Sequence, residues 1–117
     1  MDTEIDTLRR LNDEINDAEN KGLPDVLESH LAPRLAFQRA DDVQTVDDQV
    51  AFIQKVKGGG SRQIRYPDPS PIQVDGGLAV VKCIVTTAEG DYLNIRLFVK
   101  RKEGWKLLGW ANEKQKK

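Results

Sequence analysis

The chain holds one cysteine and one histidine in 117 residues. A single thiol cannot close an internal disulfide, and Cys83 with His30 falls short of the four ligands that a structural zinc takes from Cys and His. Neither a metal nor another cofactor is expected. Long apolar runs are missing as well: none approaches the roughly 20 residues needed to cross a bilayer. The amino terminus is acidic where a secretory leader would be basic and then apolar, so a cytoplasmic protein is expected. Nor is there a surplus of either charge. With 18 Lys and Arg against 19 Asp and Glu, no overall field draws in nucleic acid or an anionic membrane. Internal repeats and low-complexity segments are lacking. The length allows one core and no second domain. A single domain over 1–113 is expected, with the basic ending KQKK, 114–117, as a disordered tail.

What is present falls into two blocks. In the first, Ile5, Leu8, Leu11, Ile15 and Ala18 recur at steps of three and four, which predicts a helix over Asp2 to Asn20 with one apolar stripe. Thr3 and Asp6 resemble a capping box, and Gly22 is a suitable stop. Pro24 opens a short second helix that Pro33 ends. Alternation from Arg34 to Arg39 predicts a strand. A third helix follows Thr45 as its cap and stops at Gly58-Gly59-Gly60. The second block is strand and turn: Arg62 to Tyr66, Ile72 to Val74, Leu78 to Thr87, Tyr92 to Arg101 and Trp105 to Asn112, joined by short Gly-containing turns. Helices first and a sheet afterwards make an α+β domain.

Side chains alternate along a strand, so the turns assign two faces. With Thr87 opposite Tyr92 and Arg101 opposite Trp105, one face carries Cys83, Asn94, Arg96, Phe98, Leu108, Trp110 and Asn112. The other carries Val80, Ile84, Leu93, Ile95, Leu97, Val99 and Leu107. Both are too apolar to meet water, and three helices cover one face of such a sheet. A two-fold homodimer through the aliphatic face is therefore expected.

The ending carries the most specific local pattern: GGLAVVKCIV, then NIRLFVKRKEGW, then KLLGWANE. With the order of elements, it resembles the nuclear transport factor 2-like superfamily, the cone-shaped, cystatin-like fold of ketosteroid isomerase, SnoaL-like polyketide cyclases and the association domain of calcium/calmodulin-dependent protein kinase II. The likeness spans almost the whole chain. It implies three helices packed on a strongly curved, mainly antiparallel sheet that encloses a pocket, with dimers formed on the convex side. Arg96 stands nine residues before Trp105, as the pocket arginine of the kinase association domain stands before its turn tryptophan. The resemblance thus implies that Arg96, with Asn94, Phe98, Trp110 and Asn112, lines a cavity. The tyrosine and carboxylic acids of the isomerases and the histidine and aspartate of the dehydratases have no match. The chain is similar to small uncharacterised members with a domain of unknown function.

Arg96 is the residue that points most directly to chemistry. A buried guanidinium stays charged and must meet an anion. That anion is either an internal carboxylate such as Asp41 or Asp42, or a small anionic ligand, a carboxylate, held between Trp110 and Phe98. Arg39, sharing a face with Phe37, is either a second cation at the mouth or a solvated strand end. Asn94 and Asn112 orient a ligand or satisfy each other. Cys83 is inert core or a thiol across from Arg96. His30 is a surface or rim residue, Tyr66 and Tyr92 are candidate proton donors, and the carboxylates of Asp2 to Glu19 and Asp41 to Asp48 occupy ordinary solvated positions. Three readings follow: a dimeric small-molecule-binding module anchored by Arg96, an isomerase, dehydratase or cyclase, and an assembly domain without catalysis.

Overall fold

The computed structural model describes residues 3–38, 46–57, 64–67, 72–87 and 90–114. Helix α1, Glu4–Lys21, begins where Thr3 and Asp6 exchange side-chain and backbone hydrogen bonds, and ends at Gly22 in the left-handed region, φ 69°. Both features were legible, because the capping box satisfies donors that a first turn leaves open and glycine adopts positive φ without strain. Helix α2, Pro24–His30, takes its proline in the first turn, where the missing N–H is not needed. The strand β1, Leu31–Gln38, starts directly after it. Pro33 thus lies inside a strand rather than closing the helix. After β2, Val46–Asp47, comes α3, Gln49–Lys57. Its cap is Asp48 in place of the expected Thr45: the Asp48 Oδ1 accepts from the Ala51 N–H at 2.8 Å.

The remaining strands are β3, Ile64–Pro67; β4, Gln73–Asp75; β5, Leu78–Thr87; β6, Gly90–Arg101; and β7, Gly104–Lys114. Strand β7 includes Lys114, the first residue of the expected tail; residues 115–117 lie outside those described. The strands form one sheet in the order β2-β1-β7-β6-β5-β3, with β4 pairing the other half of the same β5 edge. All neighbours are antiparallel except β1 and β7, which run parallel. The α+β architecture expected from the sequence is present.

All three helices pack on one sheet face. Leu8, Leu11, Ile15 and Ala18 of α1, Leu27 of α2, and Phe52, Ile53 and Val56 of α3 share a core with Leu35, Phe37, Val81, Phe98, Leu107 and Trp110 of the sheet. We call this the inner face. At about 1.5–3 kcal/mol per buried large side chain, this core is the main source of stability.

Two registers differ from the sequence reading. Tyr92 pairs with Val85, and Thr87 with Gly90; a shift of two residues leaves both faces as assigned. On the β6-β7 side, Arg96 pairs with Trp110 and Asn94 with Asn112 as expected. Toward the turn, however, Lys100 pairs with Trp105, Phe98 with Leu107 and Leu97 with Gly109. Leu108 is left over as the extra residue of a β-bulge, which reverses the alternation on its turn side. Leu107 is therefore fully buried in the inner core, and its expected place on the outer, dimer-forming face is incorrect. Gly109 suits this kink, since a Cβ there would lie 3.3 Å from the Leu97 Cβ.

Candidate functional site

The inner face is not wholly apolar. The central strand β6 sends Asn94 and Arg96 toward α1, and both are buried, at 1% and 0% exposure. Facing them, α1 contributes Asn12, Asn16 and Glu19, also buried. At 3.6 residues per turn, Glu19 lies only about 20° around the helix from Leu8, in the middle of the apolar stripe. It cannot avoid the interior.

The Arg96 guanidinium meets this stripe. Its Nη2 donates to the Glu19 Oε1 at 2.7 Å and its Nη1 to the Asn12 Oδ1 at 2.6 Å. Its Cζ stands 4.5 Å from the centre of the Trp110 ring, a cation-π distance. Trp110 in turn contacts Phe37 and Phe52, at 4.8 and 5.0 Å between ring centres. The internal carboxylate expected for Arg96 exists, but it is Glu19. Asp41 and Asp42 lie outside the described residues. Glu19 and Asp47 also correct the expectation that the acidic residues of the first helix and of Asp41 to Asp48 are solvated: both are buried, and the Lys55 Nζ donates to the Asp47 Oδ1 at 3.0 Å.

Beside the guanidinium, Asn94 is a hub. Its Oδ1 accepts from the Trp110 Nε1 and, at 3.2 Å, from the Cys83 thiol, while its Nδ2 donates to the Asn112 Oδ1. Asn94 and Asn112 thus satisfy each other across the hairpin, one of the two readings left open for them. Cys83 is buried and free of disulfide bonding.

Among the described residues, two side chains hold polar groups that stay unsatisfied. The Nε–H of Arg96, and both the amide nitrogen and the carbonyl oxygen of Asn16, are buried without a hydrogen-bond partner. Each such group costs about 1–3 kcal/mol.

Of the other expected site residues, Phe98 is fully buried and Phe37 almost so. Arg39 lies outside the described residues, as does the side chain of Tyr66. Tyr92 is half-buried. His30 is half-buried at the junction of α1 and α2, with its Nε2 3.1 Å from the Glu14 Oε2. Burial lowers its pKa below 6.5, Lys106 adds to this, and Glu14 opposes it without prevailing. Asn12, Asn16 and Glu19 escaped the sequence reading. Their signal was three polar residues within or beside one apolar stripe at helical spacing.

No family model and no curated protein matches the sequence. Solved structures do. An NTF2-like protein from Cytophaga hutchinsonii superposes with a TM-score of 0.83 at 14% identity, covering 98% of this chain and 100% of that one. The fold is that of the nuclear transport factor 2-like proteins. The CaMKII hub of S. rosetta is similar to this chain with a TM-score of 0.80 at 18% identity, covering 98% and 99% of the two chains. A domain of unknown function with a cystatin-like fold from Nostoc punctiforme gives 0.79 at 15% identity, covering 100% and 81%. Among the described residues no helix is long and apolar enough to cross a membrane.

Proposed function

We propose that the protein is a self-associating domain, a two-fold homodimer formed through the outer face of its sheet. One observation carries this reading. Leu78 and Ile95 are exposed at 48% and 39%, and Val80, Ile84, Leu93 and Leu97 beside them are half-buried. Among the described residues no element covers that face. Completing the burial of these side chains on both copies is worth on the order of 9–18 kcal/mol, taking about half of the value for full burial. That reaches or exceeds most of the range of association costs, roughly 4–15 kcal/mol, so a dimer of moderate affinity is favoured. Val99 adds little, being already buried, and Leu107 adds nothing.

The charges flanking the patch select a geometry. Lys82 and Ala111 both pair with Ile95, on its two sides, and Glu113 pairs with Leu93 one row away. A two-fold axis along β6 lays β5 on the partner's β7 and brings Lys82 toward Glu113 of the partner subunit. An axis across the strands would instead set Lys82 against its own copy, which like charges disfavour. The structural relatives fit this proposal, since one of them is a CaMKII hub. The test is Ile95→Lys, followed by light scattering: a charge at the centre of the patch is expected to convert dimer to monomer. A dimer unchanged by it would refute the interface.

A second reading, a small ligand held inside each protomer beside Arg96, is favoured by the unmet hydrogen bonding of Arg96 and Asn16. Native proteins seldom leave such groups without water or a ligand. Replacement of Asn16 by Leu is expected to leave dimerisation intact, which separates the two readings.

A further inference from the structure

The unmet groups define what would satisfy them. We propose that Asn16 and the Nε–H of Arg96 bind a small neutral ligand bearing a carboxamide, or a similar paired acceptor and donor, in place of the carboxylate that an arginine alone would select. This rests on the interior-ligand reading above.

Three observations support it. First, the guanidinium is engaged end-on. Glu19 and Asn12 take Nη2 and Nη1, and the edge bearing Nε remains without an acceptor. Second, Asn16 lies one helical turn beyond Asn12 and almost one turn before Glu19, the two residues the guanidinium touches. That spacing sets the Asn16 amide alongside the same stripe. It is 5% exposed and lacks partners on both its nitrogen and its oxygen. Third, the hydrogen-bond inventory is mixed. Arg96 offers one N–H, and Asn16 offers two N–H and one carbonyl oxygen. Exchanging the nitrogen and oxygen of the amide leaves that inventory unchanged.

A carboxylate has acceptors only. It would satisfy the N–H groups, yet leave the Asn16 oxygen facing oxygen. It would also stand beside the Glu19 carboxylate on one guanidinium, where like charges repel. A carboxamide has a carbonyl for the N–H groups and an N–H for the Asn16 oxygen. Discrimination of this kind is strong, because a site built to hydrogen-bond leaves buried groups unpaired with the wrong ligand.

The test uses 15N-labelled protein, following the side-chain amide signals of Asn16 during titration with acetamide and propionamide, and separately with acetate and propionate at matched ionic strength. The amides are expected to give a saturable shift, with at least tenfold weaker response to the carboxylates. Asn16→Leu, which removes the unmet groups of Asn16, and Asn16→Asp, which keeps the size but replaces the amide donors, are expected to lose the amide response while keeping the backbone spectrum. The response of these variants is followed on backbone signals of α1. Retained acetamide binding in either folded variant overturns the assignment to Asn16. Carboxylates that saturate at lower concentration than amides overturn the ligand class and leave the interior-ligand reading standing. No saturable shift with any of the four overturns both.

Discussion

At the scale of single residues, the Arg96-Glu19 pair decides how the inner face holds together. Both partners are essentially without exposure, so each charge has exchanged water for the other, for Asn12 and for the Trp110 ring. Removing one member leaves the other charged and buried, which costs about 3–5 kcal/mol. Glu19→Gln and Arg96→Met are each expected to destabilise by about that amount in urea unfolding. The double variant, with neither charge left, is expected to recover part of it. Full additivity of the two losses would show that the pair does not act as a unit. The arginine was legible in the sequence, because a lone cation in an apolar strand must be compensated. Its partner was not, since local composition made Glu19 one more acid on a charged helix, and only its angle on the helix separates it from Glu14 or Asp17.

His30 supplies a pH dependence at the same scale. Burial holds its pKa below 6.5, so the folded state favours the neutral ring. A base with a depressed folded pKa contributes stability that is complete above the unfolded value of about 6.5 and is lost as pH falls through the folded one. Unfolding measured between about pH 7 and pH 5 is expected to show a decline in stability that is shallower in His30→Gln. An identical slope in the two proteins would mean that the Glu14 contact offsets burial in full.

At the scale of elements, the bulge in β7 separates what the sequence reveals from what it hides. Strand identity, the β5-β6-β7 meander and the pairing of Arg96 with Trp110 follow from alternation and turn residues. A one-residue bulge leaves the hydrophobic pattern readable in either register, because Leu107 and Leu108 are the same residue type. Packing settles which one enters the core. Leu107→Ala is expected to cost about 2–5 kcal/mol, as for other buried leucines, and Leu108→Ala, at a half-buried site, less than half as much. The reverse order would place the bulge elsewhere. The cap of α3 was missed for a related reason: Thr45 and Asp48 are both good caps, and the short β2 strand between them has no sequence signature of its own.

At the scale of the whole molecule, the sheet has two unequal faces. The inner one packs against α1, α2 and α3 around a polar cluster, and the outer one presents aliphatic side chains that none of the described elements covers. The two-face division was readable from alternation alone, with two misplaced members: Leu107, which belongs to the inner core, and Leu108, which the bulge leaves out of the Arg96 face. If the axis runs along β6, Lys82→Glu is expected to weaken self-association, and combining it with Glu113→Lys to restore it. The most direct measurement is sedimentation equilibrium of the wild-type chain across micromolar concentrations. A species of twice the 13.2 kDa of one chain, dissociating only on dilution, is the expected result; a monomer throughout that range would contradict the account.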